Sequence, residues 1–130
     1  MSHSAETDLL RYAISLANDT YGLGLQIEFE DDDIADARVQ LSLADGVVSL
    51  QVEVKRWANH IDTELLLMKL SRKSPIQDII LVAQYINPKM AGRLKDAGLQ
   101  FLDAAGNIYL RQPGHLLFVT GNKERDLAHK

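Results

Sequence analysis

Residues 36–55, DARVQLSLADGVVSLQVEVK, constrain the fold more than any other stretch of the chain. They read as a β-hairpin, because Asp45-Gly46 is a two-residue turn signal in which glycine accepts the positive φ that such turns need. With Asp45-Gly46 as the loop, Ala44 faces Val47 and the numbers of facing residues sum to 91. Leu43–Val48, Leu41–Leu50, Val39–Val52 and Ala37–Val54 then line one face, all apolar. Ser42–Ser49, Gln40–Gln51, Arg38–Glu53 and Asp36–Lys55 line the other, all polar. Strand side chains alternate with period two, so a one-residue slip would turn every apolar side chain to the polar face.

This pairing gathers Asp36, Glu53 and Lys55 on one face at the open end of the hairpin. Mg²⁺ prefers hard oxygen ligands and keeps several waters, so one or two carboxylates and a substrate phosphate suffice to hold it. A metal so held lowers the pKa of a bound water, and a neighbouring ammonium stabilises charge developing on phosphoryl oxygens. Asp36 and Glu53 are therefore the candidate metal ligands, and Asp36, Glu53 and Lys55 the candidate catalytic set for phosphodiester hydrolysis. The same pattern also suits two surface ion pairs, Arg38–Glu53 and Asp36–Lys55, on a half-solvated antiparallel sheet. Arg38 divides the two readings, since a guanidinium on Glu53 would compete with a metal for that carboxylate.

Charge is distributed unevenly along the 130 residues. Residues 1–53 carry 2 basic and 11 acidic side chains, and residues 54–130 carry 12 basic and 7 acidic. A basic half supplies what a polyanion such as DNA requires. The length suits one domain, expected to span 1–130 with a polar tail from about residue 121. With no cysteine, disulfides and thiolate metal sites are excluded. No apolar run reaches the length of a membrane span, and MSHSAETDLL lacks a signal-peptide pattern, so no membrane partner and a cytoplasmic location are expected.

The remaining elements follow from periodicity. Residues 7–18 carry a helical stripe of Leu9, Leu10, Ala13, Leu16 and Ala17, and residues 25–29 alternate as a short strand before an acidic loop at 30–35. After the hairpin, residues 61–72 read as a helix with a basic last turn, and the apolar run 78–83 as a strand buried on both faces. Asn87-Pro88 opens a third helix that Gly98 ends. Two strands flank Ala105-Gly106-Asn107, and a last strand covers 116–120. Lys55-Arg56 and Trp57 would lie where the helix of 61–72 departs, with Arg38, Arg56, Trp57 and Gln84 the candidate nucleic-acid contacts. Core packing is the expected role for Trp57, with stacking on a base as the functional alternative.

Helix, three-strand meander with Asp36…Glu53-x-Lys55, helix and strand, over about residues 7–83, resembles the restriction-endonuclease-like fold with its PD-(D/E)xK motif, Ala35 standing where the motif has proline. The resemblance implies an α/β fold, a mixed sheet flanked by helices, with Mg²⁺ on Asp36 and Glu53 and Lys55 as catalytic lysine. The stretch from Ile80 to Lys123, with Tyr85-Ile86-Asn87-Pro88, Ala91, Leu94, Gly98, Phe101-Leu102-Asp103, Ala105-Gly106-Asn107 and Gly121-Asn122-Lys123, resembles the AbiEi-type antitoxin family of type IV toxin–antitoxin systems, in the branch with an endonuclease-like N-terminal domain. GLQFLDAAGN is also similar to the end of Mrr-like nuclease domains. Members of the antitoxin branch are usually longer, with a winged helix–turn–helix following this stretch. The resemblance implies DNA as partner, with a toxin or regulatory protein and a homodimer as further associations, and a domain that need not cleave.

Asp103 and Asn107 flank a tight turn, where side chain–backbone bonds are the expected role and a place near substrate the alternative. His3, His60, His115 and His129 have no mutual ligand spacing, and no glycine-rich phosphate loop is present.

Overall fold

The computed structural model describes residues 5–30 and 33–124, with the side chains of residues 30–36 outside the described set. Chain order is α1 (Ala5–Tyr21), β1 (Leu25–Glu30), β2 (Asp33–Leu43), β3 (Gly46–Val54), α2 (Thr63–Ser71), a 3₁₀ turn (Ile76–Asp78), β4 (Ile79–Ala83), α3 (Pro88–Asp96), β5 (Gln100–Asp103), β6 (Ile108–Gln112) and β7 (His115–Val119). All seven strands form one mixed sheet in sequence order. The pairs β1–β2, β2–β3, β5–β6 and β6–β7 are antiparallel, and β3–β4 and β4–β5 are parallel. The two parallel steps run the same way along the sheet and their crossovers, α2 and α3, share one face, as two crossovers of a single hand require.

Two apolar layers sandwich the sheet. On one face α1 places Leu9, Leu10, Ala13, Ile14 and Ala17 against Val39, Leu41, Leu50, Val52, Ile80, Val82, Leu102 and Ile108. Ile14 takes the core position expected of Leu16, which is half-buried. On the other face Leu66 and Leu70 of α2 and Met90, Ala91 and Leu94 of α3 cover Ile79, Leu81, Ala83, Phe101 and Tyr109. β4 feeds both layers, so every one of its residues is buried, as its unbroken apolar run predicts. Among the described residues, the second layer draws nothing from β1–β3. Their outward residues on that side, among them Gln26, Glu28, Arg38, Gln40, Gln51 and Glu53, alternate with the α1-facing core and form a polar half-sheet.

Local signals set the helix ends. Asn87 caps α3 through Oδ1, which accepts from the Met90 N–H at 2.8 Å, with Pro88 in the first turn and Gly98 beyond the end at φ +78°. Asp62 caps α2 by accepting from the Leu65 N–H at 3.2 Å, so the helix starts two residues later than the apolar pattern suggests. Strand covers part of the acidic loop expected at 30–35, since β1 runs to Glu30 and β2 starts at Asp33, with residues 31 and 32 outside the described residues. The polar tail expected from residue 121 is described only to Glu124, and 125–130 lie outside the described residues.

Candidate nucleic-acid interface

The hairpin has its two faces as expected, but its register differs. Leu43 pairs with Gly46, Leu41 with Val48, Val39 with Leu50 and Arg38 with Gln51, so facing residues sum to 89 and the loop is Ala44-Asp45. Gly46 opens β3 at φ +148°, a conformation that L side chains rarely adopt. A two-residue shift keeps each side chain on its face, so alternation alone does not separate the two registers.

The cross-strand charge pairs move with the register. Arg38 faces Gln51 on one side and Glu28 on the other, and its Nε donates to Ser49 Oγ at 2.9 Å. The expected Arg38–Glu53 pair is therefore not formed, and Arg38 leaves Glu53 open to other partners. Gln40 Nε2 donates to Glu28 Oε1 across β1 and β2. The expected Asp36–Lys55 pair and the ligand role of Asp36 lie outside the described residues, because the Asp36 side chain is not described.

Glu53 and Lys55 do come together, with Lys55 Nζ 3.5 Å from Glu53 Oε2. The other carboxylate oxygen receives Lys73, whose Nζ donates to Glu53 Oε1 at 3.1 Å. Lys73 follows α2, and its neighbour Ser74 donates through Oγ to Gln51 Oε1 at 2.7 Å. The α2–β4 connection is thus held against β3 by two consecutive contacts. Parallel pairing of Gln51 with Ile79 brings residues 73–78 alongside Gln51 and Glu53. The Glu53 side chain is 16% exposed, whereas Lys55 and Lys73 are 42% and 54% exposed. Lys73 was not among the candidates from the sequence, where it reads as a helix-end cation.

The carboxyl ends of β3 and β4 carry the second group. The Lys55 N–H donates to Val82 O at 2.9 Å and the Gln84 N–H to Arg56 O at 3.0 Å, so the chain continues beside β4 past the end of β3. Trp57 is 62% exposed, contrary to the core role expected of it. Arg56 places its guanidinium carbon 5.3 Å from the centre of the Trp57 ring. Ala58 takes the buried position instead, accepting a hydrogen bond from the Ile61 N–H at 3.1 Å. Gln84 is half-buried, and its carbonyl accepts from the Ala104 N–H at 3.2 Å, which ties the ends of β4 and β5 together. Crevices at the carboxyl ends of parallel strands are where open α/β sheets bind ligands.

Asp103 is buried next to this edge and is fully engaged. Its Oδ1 accepts from the Ala105 and Asn107 N–H groups at 2.9 and 2.8 Å, and its Oδ2 from the Ile86 N–H and Asn107 Nδ2 at 2.8 and 2.9 Å. Burial pushes its carboxyl above the ordinary carboxylate value, and these four donors oppose the rise. Asn107 in turn accepts from the Asn122 N–H at 2.9 Å through Oδ1. Gly106 completes the turn at φ +89°, its carbonyl accepting from Tyr21 Oη at 2.6 Å. Asp103 and Asn107 thus have the structural role expected of them.

Among the described residues no three His, Cys, Asp or Glu side chains gather into a metal cage, and no helix is long and apolar enough to cross a membrane. Set against known protein families, curated proteins and solved structures, the chain has no match.

Proposed function

We propose that this chain is a nucleic-acid-binding domain of restriction-endonuclease-like fold, similar to the N-terminal domain of AbiEi-type antitoxins, which holds DNA without cleaving it. The observation that carries this reading is the exposed Lys55-Arg56-Trp57 edge at the carboxyl ends of β3 and β4, next to a Glu53 carboxylate already neutralised by Lys55 and Lys73. Helix, meander, crossover and strand follow one another in the order that the endonuclease-like fold implies, which supports the fold reading. A regulatory or toxin protein as second partner, and a homodimer, belong to the same antitoxin-like proposal.

The Mg²⁺ expected at Asp36 and Glu53 does not fit the described donors. Each oxygen of Glu53 faces an ammonium group, and a divalent cation there would have to displace Lys73 and then face the positive charge of Lys55. No hydrolytic step is derived from this arrangement. One observation favours the alternative, a Mg²⁺-dependent nuclease: Arg38 donates to Ser49 Oγ and faces Gln51, so no guanidinium competes for the Glu53 carboxylate.

Calorimetry with Mg²⁺ and with Mn²⁺, in the presence of a DNA oligonucleotide, separates the two. The binding reading predicts DNA affinity in EDTA, no Glu53-dependent metal heat and intact plasmid after incubation with Mg²⁺. Metal binding lost in Glu53→Ala, together with cleavage lost in Lys55→Ala, would establish the nuclease instead. Absence of DNA affinity in the wild-type chain at low salt would remove both.

A further inference from the structure

We propose that Trp57 and Arg56 form a stacking platform for an unpaired base, so that the chain binds single-stranded nucleic acid in preference to duplex. This rests on the nucleic-acid reading above and names the form of nucleic acid that the edge takes.

Trp57 is held out in water by its neighbours. On one side the Lys55 N–H and the Arg56 carbonyl are bonded to β4, and on the other Ala58 is fully buried. With both flanks anchored, the indole cannot retreat into the core without breaking strand-like hydrogen bonds or expelling Ala58. A tryptophan is the largest apolar side chain, and leaving most of it in water forgoes the burial that ordinarily makes it a core residue. Among the described residues its ring stacks on no other aromatic ring, and its described π contact is the Arg56 guanidinium. An indole and a guanidinium are both flat, and both stack on nucleobases.

The form of the ligand follows from where its bases are. In a duplex the base faces are covered by their neighbours, and protein reaches only edges and phosphates. A flat platform gains from a base only when that base is unpaired and splayed out. Lys55 and Arg56 supply cations for the adjoining phosphates, so stacking and charge act on the same nucleotide step. A protein partner is the competing occupant of an exposed Trp–Arg pair. The two cations beside the ring, in the half of the chain with a basic excess, favour the polyanion.

Trp57 is the single tryptophan of the chain, so intrinsic fluorescence reports on this position alone. The full chain is titrated at low salt with a thymidine 15-mer, with a mixed-sequence 15-mer, with the same sequence as blunt duplex, and with heparin as a polyanion without bases. The proposal expects both single strands to quench Trp57 and to bind more tightly than the duplex, while heparin leaves the fluorescence unquenched. Trp57→Ala should weaken single-strand binding roughly tenfold, while Trp57→Phe keeps most of the affinity. Equal affinity for single strand and duplex, or single-strand binding without quenching and unaffected by Trp57→Ala, overturns this proposal while leaving the nucleic-acid reading in place. No binding to any of the three DNA ligands overturns both.

Discussion

Glu53 and Asp103 are both carboxylates set in polar surroundings, and their partners give them different work. Asp103 is spent on four N–H donors that hold the β5–β6 turn and the start of α3. Asp103→Asn replaces an acceptor oxygen by an amino group facing donors, and should lower stability by about 2 kcal/mol, read as a shift in denaturant midpoint. A loss below about 0.5 kcal/mol would contradict the structural assignment. Glu53 is held by two exposed lysines, and pairs of that kind contribute at most about 1 kcal/mol. Lys73→Met should therefore leave the unfolding midpoint nearly unchanged. Its effect belongs to chemistry, because it uncovers Glu53 Oε1, and the variant should bind Mn²⁺ more tightly than the wild type in calorimetry. Trp57 shows what residue type alone conceals. Tryptophan is ordinarily buried, and only the anchoring of Lys55, Arg56 and Ala58 turns it outward.

At the scale of elements, the legible features were those encoded locally. The Asn87-Pro88 start of α3, the unbroken apolar run of β4 and the two faces of the β2–β3 hairpin are all written in neighbouring residues. Asn87→Ala should cost about 1 kcal/mol through loss of the cap, seen as a lower thermal midpoint with the fold retained. Leu81→Ala, in the middle of β4 under α2 and α3, should cost about 2–5 kcal/mol. Hairpin register was not legible, because the pairing that sums to 91 and the one that sums to 89 share the same alternation. The Asp45-Gly46 turn signal points to 91, whereas Ala44-Asp45 form the loop and Gly46 opens β3. In the sheet, Arg38 turns to Ser49 and faces Glu28, while Glu53 turns to Lys73, so partners from β1 and the α2–β4 connection replace those expected within the hairpin.

Across the whole molecule, the sheet order joins the acidic N-terminal meander to the more basic remainder along the β3–β4 seam. This seam is parallel and spans residues 51–54 and 79–82, a long-range pairing that no local pattern specifies. It brings Lys73 to Glu53 and sets Gln84 beside Arg56, so the candidate edge exists only once the sheet has formed. The central claim is that this edge binds nucleic acid through Lys55 and Arg56 with Trp57 between strand and solvent. The most direct measurement is the affinity of the full chain for a single-stranded 15-mer as a function of salt, wild type beside Arg56→Ala. The account predicts binding that weakens linearly in log–log form as salt rises, and a slope reduced by about one when Arg56 is removed. Affinity that ignores salt, or a slope that Arg56→Ala leaves unchanged, would contradict it.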